Sequence, residues 1–163
     1  MYKTKQVIVV RKDLKMRRGK EAAQVAHASL AALTDRLTFK GPLLFHADIP
    51  PVMVEWLNDS FAKIVVSCDS EEALFDLQKQ AEAAGIINAL IQDNGTTEFK
   101  EECSECDGEG ILCLFDHKEL DTDTVCPICR GSGKVSKPTY TTLAIGPDYS
   151  EKIDKITGRL QLR

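Results

Sequence analysis

The chain has 163 residues, of which 43% are hydrophobic and 28% are charged, and its formal net charge is −4. This composition is ordinary for a globular protein, the length fits one domain or one domain with an insertion, and no apolar run approaches the roughly 18 to 20 residues that span a membrane. The apolar run 7–10 is too short for a signal peptide, so we expect a cytoplasmic protein. In that compartment its six cysteines indicate metal or thiol chemistry rather than disulfides.

The charges are distributed unevenly along the chain. Residues 1–20 hold eight Lys or Arg and one Asp, whereas residues 100–136 hold four Lys or Arg and nine Asp or Glu. A basic beginning on an acidic chain is typical of a protein that binds a polyanion such as RNA. A charged surface that only improves solubility is the alternative interpretation.

The first predicted elements are a strand and a long helix. Residues 6–10 read QVIVV, a β-branched run that predicts a strand buried on both faces. Residues 19–37 contain no proline and no internal glycine and are rich in Ala and Leu, which predicts a helix that is largely buried.

Three polar residues of this helix, Lys20, Gln24 and His27, are spaced i, i+4, i+7 and therefore share one stripe. Arg17 and Arg18 precede them. Cations at a helix N-terminus favour an anionic ligand, and a phosphate is the obvious candidate. The alternatives are a hydrogen-bonded core histidine and a solvated first-turn lysine.

Proline, glycine and capping signals divide the rest of the chain into short elements. Asp69 with Glu72 predicts a capping box at the start of a helix, and Gly85 predicts its end. Gly146, Pro147 and Asp148 predict the end of a strand. The predicted elements are a helix at 52–58, a strand at 62–68, a helix up to residue 84, strands at 86–91 and 139–145, a helix at 150–156 and an extended piece at 160–162. Their order predicts an α/β fold.

Asp93 lies where the third predicted strand meets the turn Asn94-Gly95. Catalytic groups are commonly mounted where a rigid element meets a loop, so Asp93 is a candidate. The alternative is an aspartate that only bonds its own backbone.

Two CxxC pairs stand in the acidic stretch 100–136, with 19 residues between them. This spacing is typical of a zinc site, and four thiolates close the coordination shell, so we expect a structural zinc ion and no metal in catalysis. An iron centre on the same thiolates and a dithiol redox switch are the alternatives. The pairs resemble the cysteine-rich region of J-protein co-chaperones. The expected ligands are Cys103, Cys106, Cys126 and Cys129, with Cys113 and His117 as spare candidates.

Four segments together resemble the type 2, archaeal and eukaryotic family of peptidyl-tRNA hydrolases. They are KQVIVVRKDLKMRRGKEAAQVAHASL at 5–30, KIVVSCDSEEAL at 63–74, QDNGTT at 92–97 and TTLAIGPDYSEKIDKITGRLQL at 141–162. The resemblance implies a three-layer α/β fold, a four-stranded mixed sheet with helices on both faces, and often a homodimer. The hydrolase-like domain is then discontinuous, at 1–99 and 137–163, and the zinc-binding insertion occupies 100–136.

The resemblance implies hydrolysis of the ester between a peptide and tRNA, with peptidyl-tRNA as the substrate. No serine nucleophile elbow is present, so direct attack by water is preferred to an acyl-enzyme. The main alternative is a non-catalytic tRNA-binding or translation-quality-control adaptor that docks a protein or RNA through the zinc module; a zinc-dependent chaperone module is the third. The catalytic candidates are Lys20, His27, Asp93, Thr97 and Thr141, and the substrate-binding candidates are Lys12, Lys15, Arg17, Arg18 and Gln24.

Overall fold

The computed structural model of the chain describes residues 2–39, 45–47, 49–112 and 124–163. The chain forms two compact units: one comprises Met1–Gln92 and Tyr140–Arg163, and the other comprises Asp93–Thr139. The predicted insertion, 100–136, lies within the second unit.

Strands and helices are interspersed up to residue 93 and again at the end of the chain. In chain order they are β1 (Thr4–Arg11), α1 (Arg18–Thr34), β2 (Leu37–Phe39), β3 (Phe45–Ala47), α2 (Pro51–Asn58), β4 (Lys63–Cys68), α3 (Glu71–Ala83), β5 (Asn88–Asp93), β6 (Lys100–Glu102), β7 (Ile111–Leu112), β8 (Thr124–Val125), β9 (Lys134–Ser136), β10 (Thr139–Tyr149), α4 (Ser150–Thr157) and β11 (Gln161–Leu162).

The main sheet is five-stranded, in the order β11-β4-β1-β10-β5. Strand β1 pairs with β4 in parallel and with β10 antiparallel, so the sheet is mixed. The mixed α/β fold is therefore confirmed. The sheet has one strand more than the four expected, because the terminal piece predicted at 160–162 pairs with β4 as β11.

The side chains of β1 alternate between two apolar clusters, as expected for a central strand with period two. Val7 and Val9 pack with residues of α3 and α4, such as Leu74 and Ile153. Ile8 packs on the opposite face with residues of α1. Helices therefore cover both faces of the sheet, as predicted.

The expectation that α1 is largely buried and continues to residue 37 was wrong. The helix ends at Thr34, and its buried residues are Gln24, Ala28 and Ala32. Leu30 is 60% exposed. The high Ala content suggested a helix that is apolar on all sides, but only one stripe of it faces the sheet. A helix that packs on one side needs only one buried stripe.

Two other local predictions also differ from the structure. The N-cap of α3 is Ser70, not Asp69: Ser70 Oγ accepts from the N–H of Ala73 at 3.2 Å, while Asp69 pairs with Lys12 at 2.6 Å. Strand β10 does not end at residue 145 but continues to Tyr149, with a register shift opposite Lys5 and Val7. A bulge of this kind admits an extra residue without ending the strand.

The second unit is built from two antiparallel strand pairs, β6 with β9 and β7 with β8. Four buried cysteines form its core together with Leu112 and Val135. Within the described ranges of the whole chain, no helix has the length and apolar character to cross a bilayer.

Candidate active site and metal centre

Gln24 and Thr141, two of the predicted site residues, lie in contact inside the first unit. Gln24 is 3% exposed and Thr141 is fully buried. Thr141 Oγ1 donates to Gln24 Oε1 at 2.6 Å and has a longer contact, 3.4 Å, with the carbonyl O of Ile91. A hydroxyl has one proton, so the shorter bond is the donated one. This bond fixes the orientation of the Gln24 amide.

Thr142, which the sequence did not single out, holds the backbone of the same residue. Its Oγ1 donates to the carbonyl O of Gln24 at 3.1 Å. Two successive threonines of β10 therefore tie α1 to the sheet at one point. The two threonines are visible in the sequence, but nothing in the sequence indicates that Gln24, which is 117 residues from Thr141, is their partner.

The other predicted residues of α1 differ in exposure. Lys20, in the first turn, is half-buried, and His27 is exposed. His27 is therefore not the hydrogen-bonded core histidine that the alternative interpretation required.

The loop that leads into α1 is fixed by Arg11, the last residue of β1, which is 8% exposed. Its guanidinium donates to Asp13 at 2.7 and 3.2 Å, to Glu71 at 2.6 Å and to the carbonyl O of Tyr140 at 2.9 Å. Burial alone would lower the pKa of Arg11, but its bonds to the two carboxylates outweigh that effect and raise it. The signal for this network was a charged residue directly after QVIVV.

The predicted tRNA-binding cations follow Arg11. Lys12 forms an ion pair with Asp69, and its side chain is 42% exposed. Lys15 has a φ of 47°, which marks the tight turn of the loop. Lys15, Arg17 and Arg18 are all exposed. Their charges therefore lie at the surface, around the start of α1.

Asp93 and Thr97 belong to the second unit. Asp93 Oδ1 accepts from the backbone N–H of Gly95 at 2.8 Å, which fixes the rotamer of its carboxylate. Gly95 has a φ of 71°, and a Cβ there would lie 2.6 Å from the backbone N of Lys137, so only glycine fits. Thr97 is exposed in the loop that follows. The carboxylate of Asp93 therefore makes the bond to its own turn that the alternative interpretation described.

The four predicted cysteine ligands come together in the second unit, and their sulfur atoms all lie within 4.8 Å of one another. The Sγ–Sγ distances are 3.8 Å from Cys103 to Cys126 and 3.7 Å from Cys106 to Cys129. A tetrahedron of sulfurs at about 2.3 Å from a zinc ion has edges of about 3.8 Å. The geometry therefore fits one tetrahedral metal ion. Cys113 and His117, the spare candidates, lie outside the described residues.

Backbone N–H groups face these sulfurs. The N–H of Gly110 donates to Cys106 Sγ at 3.2 Å. Burial works against ionisation of Cys129, but hydrogen bonds from Gly133 and from neighbouring thiols lower its pKa to about 7. Burial raises the pKa of Cys106 to about 11. The surroundings therefore favour the thiolate, which is the form that binds a metal, at Cys129 and disfavour it at Cys106.

Cys68, the remaining described cysteine, plays no part in this cluster. It is 4% exposed, and burial raises the pKa of its thiol. It fills space beside α3, as the sequence predicted.

Comparison with known proteins identifies the family. The family model for peptidyl-tRNA hydrolase PTH2 matches residues 4–108. The peptidyl-tRNA hydrolase of Thermococcus sibiricus is 35% identical over 162 residues, covering 99% of both chains. That of Methanopyrus kandleri is 35% identical, covering 99% of this chain and 98% of the relative. That of Haloquadratum walsbyi is 35% identical, covering 97% and 98%. The resemblance drawn from the sequence is confirmed: the chain belongs to the PTH2 family of peptidyl-tRNA hydrolases.

Proposed function

We propose that the protein hydrolyses the ester bond of peptidyl-tRNA and so returns tRNA from aborted translation. The observation that carries this proposal is the family match, which extends over nearly the whole chain in relatives that bear this name. Water adds to the ester carbonyl, the bond to the ribose oxygen breaks, and the products are a free peptide acid and tRNA. Such an enzyme acts in the cytoplasm, where its substrate is made.

The reaction needs an activated water, a group that stabilises the oxyanion, and contacts to the polyanionic substrate. Asp93 is the proposed base, which takes a proton from the water. Lys20 is proposed to stabilise the oxyanion or a substrate phosphate, Thr97 to donate a hydrogen bond, and His27 to exchange a proton. Because Thr141 already donates its proton to Gln24, we assign it the positioning of Gln24 rather than a contact with substrate.

The surface cations around the start of α1, Lys12, Lys15, Arg17 and Arg18, are proposed to contact the tRNA backbone. Contacts of this kind release counterions, so the affinity for tRNA should fall steeply as salt rises. An affinity that does not change between 50 and 200 mM salt would contradict this assignment.

We further propose that the four cysteines of the second unit hold one structural zinc ion, and that the insertion 100–136 is a separate module of a homodimeric enzyme. The buried sulfurs and their spacing support the metal site. Metal analysis of the purified protein distinguishes zinc from iron, and a metal-free protein with free thiols would indicate the redox switch. Sedimentation measures the oligomeric state.

The decisive experiment is release of tRNA from a purified N-blocked aminoacyl-tRNA by the intact protein and by two variants. Asp93→Asn should abolish most turnover while tRNA binding persists. Asp76→Asn, the same change at an exposed acid of α3, serves as the matched control and should leave turnover unchanged. A folded intact protein that binds tRNA without releasing it would favour the adaptor. Full activity of Asp93→Asn would remove Asp93 from the mechanism.

A further inference from the structure

Glu21 and Arg163 form a two-pronged ion pair within the first unit, although 142 residues separate them. Arg163 Nε donates to Glu21 Oε1 at 2.9 Å, and Nη2 donates to Oε2 at 2.6 Å. The side chains of Arg163 and Glu21 are 31% and 20% exposed. Paired donation to both oxygens fixes a carboxylate more tightly than one contact does.

The backbone of Arg163 is itself held by the edge of the sheet. Gln161 and Leu162 pair with β4, and the N–H of Arg163 donates to the carbonyl O of Val65 at 3.0 Å. The hydrogen bonds to Glu21 raise the pKa of Arg163, so the guanidinium stays charged. The guanidinium therefore reaches Glu21 from a fixed position.

Glu21 is the only acidic residue in the first turn of α1. A carboxylate there stabilises the helix through its dipole. Glu21 follows Lys20 in the sequence and is close to Arg17 and Arg18, the cations at the start of α1 that a phosphate of the substrate is proposed to approach. An unpaired negative charge at this point repels that phosphate.

We propose that Arg163 is a positioning residue for tRNA binding. It holds the Glu21 carboxylate and neutralises its charge, so that the surface cations around the start of α1 attract a phosphate of the substrate. The inference rests on the proposed function, because it concerns the same substrate. It requires no contact between Arg163 and the reacting atoms. It predicts an effect on substrate affinity and none on the chemical step.

The size of the effect follows from Coulomb's law. At low salt, where the Debye length is about 30 Å, one unmasked charge about 10 Å from a phosphate in a medium close to water changes the affinity about twofold. Arg163→Ala should therefore raise KM for N-blocked aminoacyl-tRNA about twofold at low salt with kcat unchanged. The effect should fade as added salt screens the charge.

The test compares Arg163→Ala with Arg159→Ala, which removes the same charge from an exposed arginine four residues earlier. A second variant, Glu21→Gln with Arg163→Ala, restores the net charge of the parent protein. We expect KM to return to the parent value in this double variant. Arg163→Lys, which keeps the charge, should stay near the parent and guards against a folding defect in the alanine variant.

Two results would overturn the inference. One is a KM of Arg163→Ala equal to that of Arg159→Ala. The other is a double variant that stays as weak as Arg163→Ala, which would show that Arg163 only supports the fold. The dissociation constant of tRNA without an attached amino acid, measured for the same variants, distinguishes the two proposals. An intact protein without turnover contradicts the proposed function. A dissociation constant that is the same in Arg163→Ala and in the parent protein contradicts the role of Arg163.

Discussion

Replacing Thr141 by Val removes one hydroxyl and keeps the shape of the side chain. The hydroxyl donates at 2.6 Å to Gln24, and neither side chain has appreciable contact with solvent. The amide oxygen of Gln24 would then lose this donor in a place that water does not reach, which costs about 1–3 kcal/mol. With an ordinary denaturant slope, this loss lowers the urea midpoint of the first unit by about 1 M.

The assay for stability is the fluorescence of Trp56, the only tryptophan of the chain, which is fully buried in α2 of the first unit. Thr142→Val is the matched control, because it removes a hydroxyl from the same strand that bonds only the backbone oxygen of Gln24. That oxygen is a helix carbonyl and keeps its helical partner, so the control should lose less stability.

Measurements of turnover separate the role of Thr141 in orienting the Gln24 amide from its role in stability. If the Gln24 amide must be held in one orientation, Thr141→Val should lower kcat about tenfold or more, while Thr142→Val keeps most of it. A Thr141→Val protein that is as active as the parent would refute the reasoning about orientation. Equal losses of stability in the two variants would refute the estimate for the buried oxygen.

Three further outcomes are expected. Gly133→Ala should lower the metal content and the thermal stability of the second unit, because Gly133 has a φ of 68° and a Cβ there would collide with the carbonyl of Gly108. Gly19→Ala is the control: a Cβ at this position meets nothing within 4 Å, so the substitution should change neither property. Cys126→Ser should lose the bound metal, as measured by elemental mass spectrometry of the purified protein. Retention of one full equivalent of metal would contradict the four-sulfur site. Cys68 should resist alkylation at pH 8 in the folded protein and react after denaturation, since burial raises the pKa of its thiol; rapid labelling of native protein would be incompatible with this.

Much of the fold could be predicted because its signals are local. The β-branched run of β1, the apolar spacing of Leu74, Leu77 and Ala81, and the repeated CxxC pairs each depend on residues that are neighbours in sequence. What the sequence did not predict depends on partners far along the chain. The extended piece at 160–162 was predicted, but its pairing with the edge of β4, which makes it the fifth strand of the sheet, was not.

In the candidate site, too, local features could be predicted and contacts with distant residues could not. The stripe of Lys20, Gln24 and His27 was visible from helical spacing, but spacing could not tell which of the three is buried. Burial depends on which side of α1 meets the sheet. Ser70 and Asp69 are both good N-caps; in the structure Ser70 caps α3, while Asp69 forms an ion pair with Lys12. The bond from Thr141 to Gln24 leaves no trace in local sequence.

Lys100 and Ser136, the two ends of the predicted insertion, are paired residues at the start of the ladder formed by β6 and β9. Next to them, the N–H of Lys137 donates to the carbonyl O of Phe99 at 2.8 Å. The two ends of residues 100–136 therefore already meet, and the backbone of Phe99 and Lys137 is bonded just outside them. A short turn that joins residues 99 and 137 would span this small gap, so the insertion can be excised without moving the chain on either side of it.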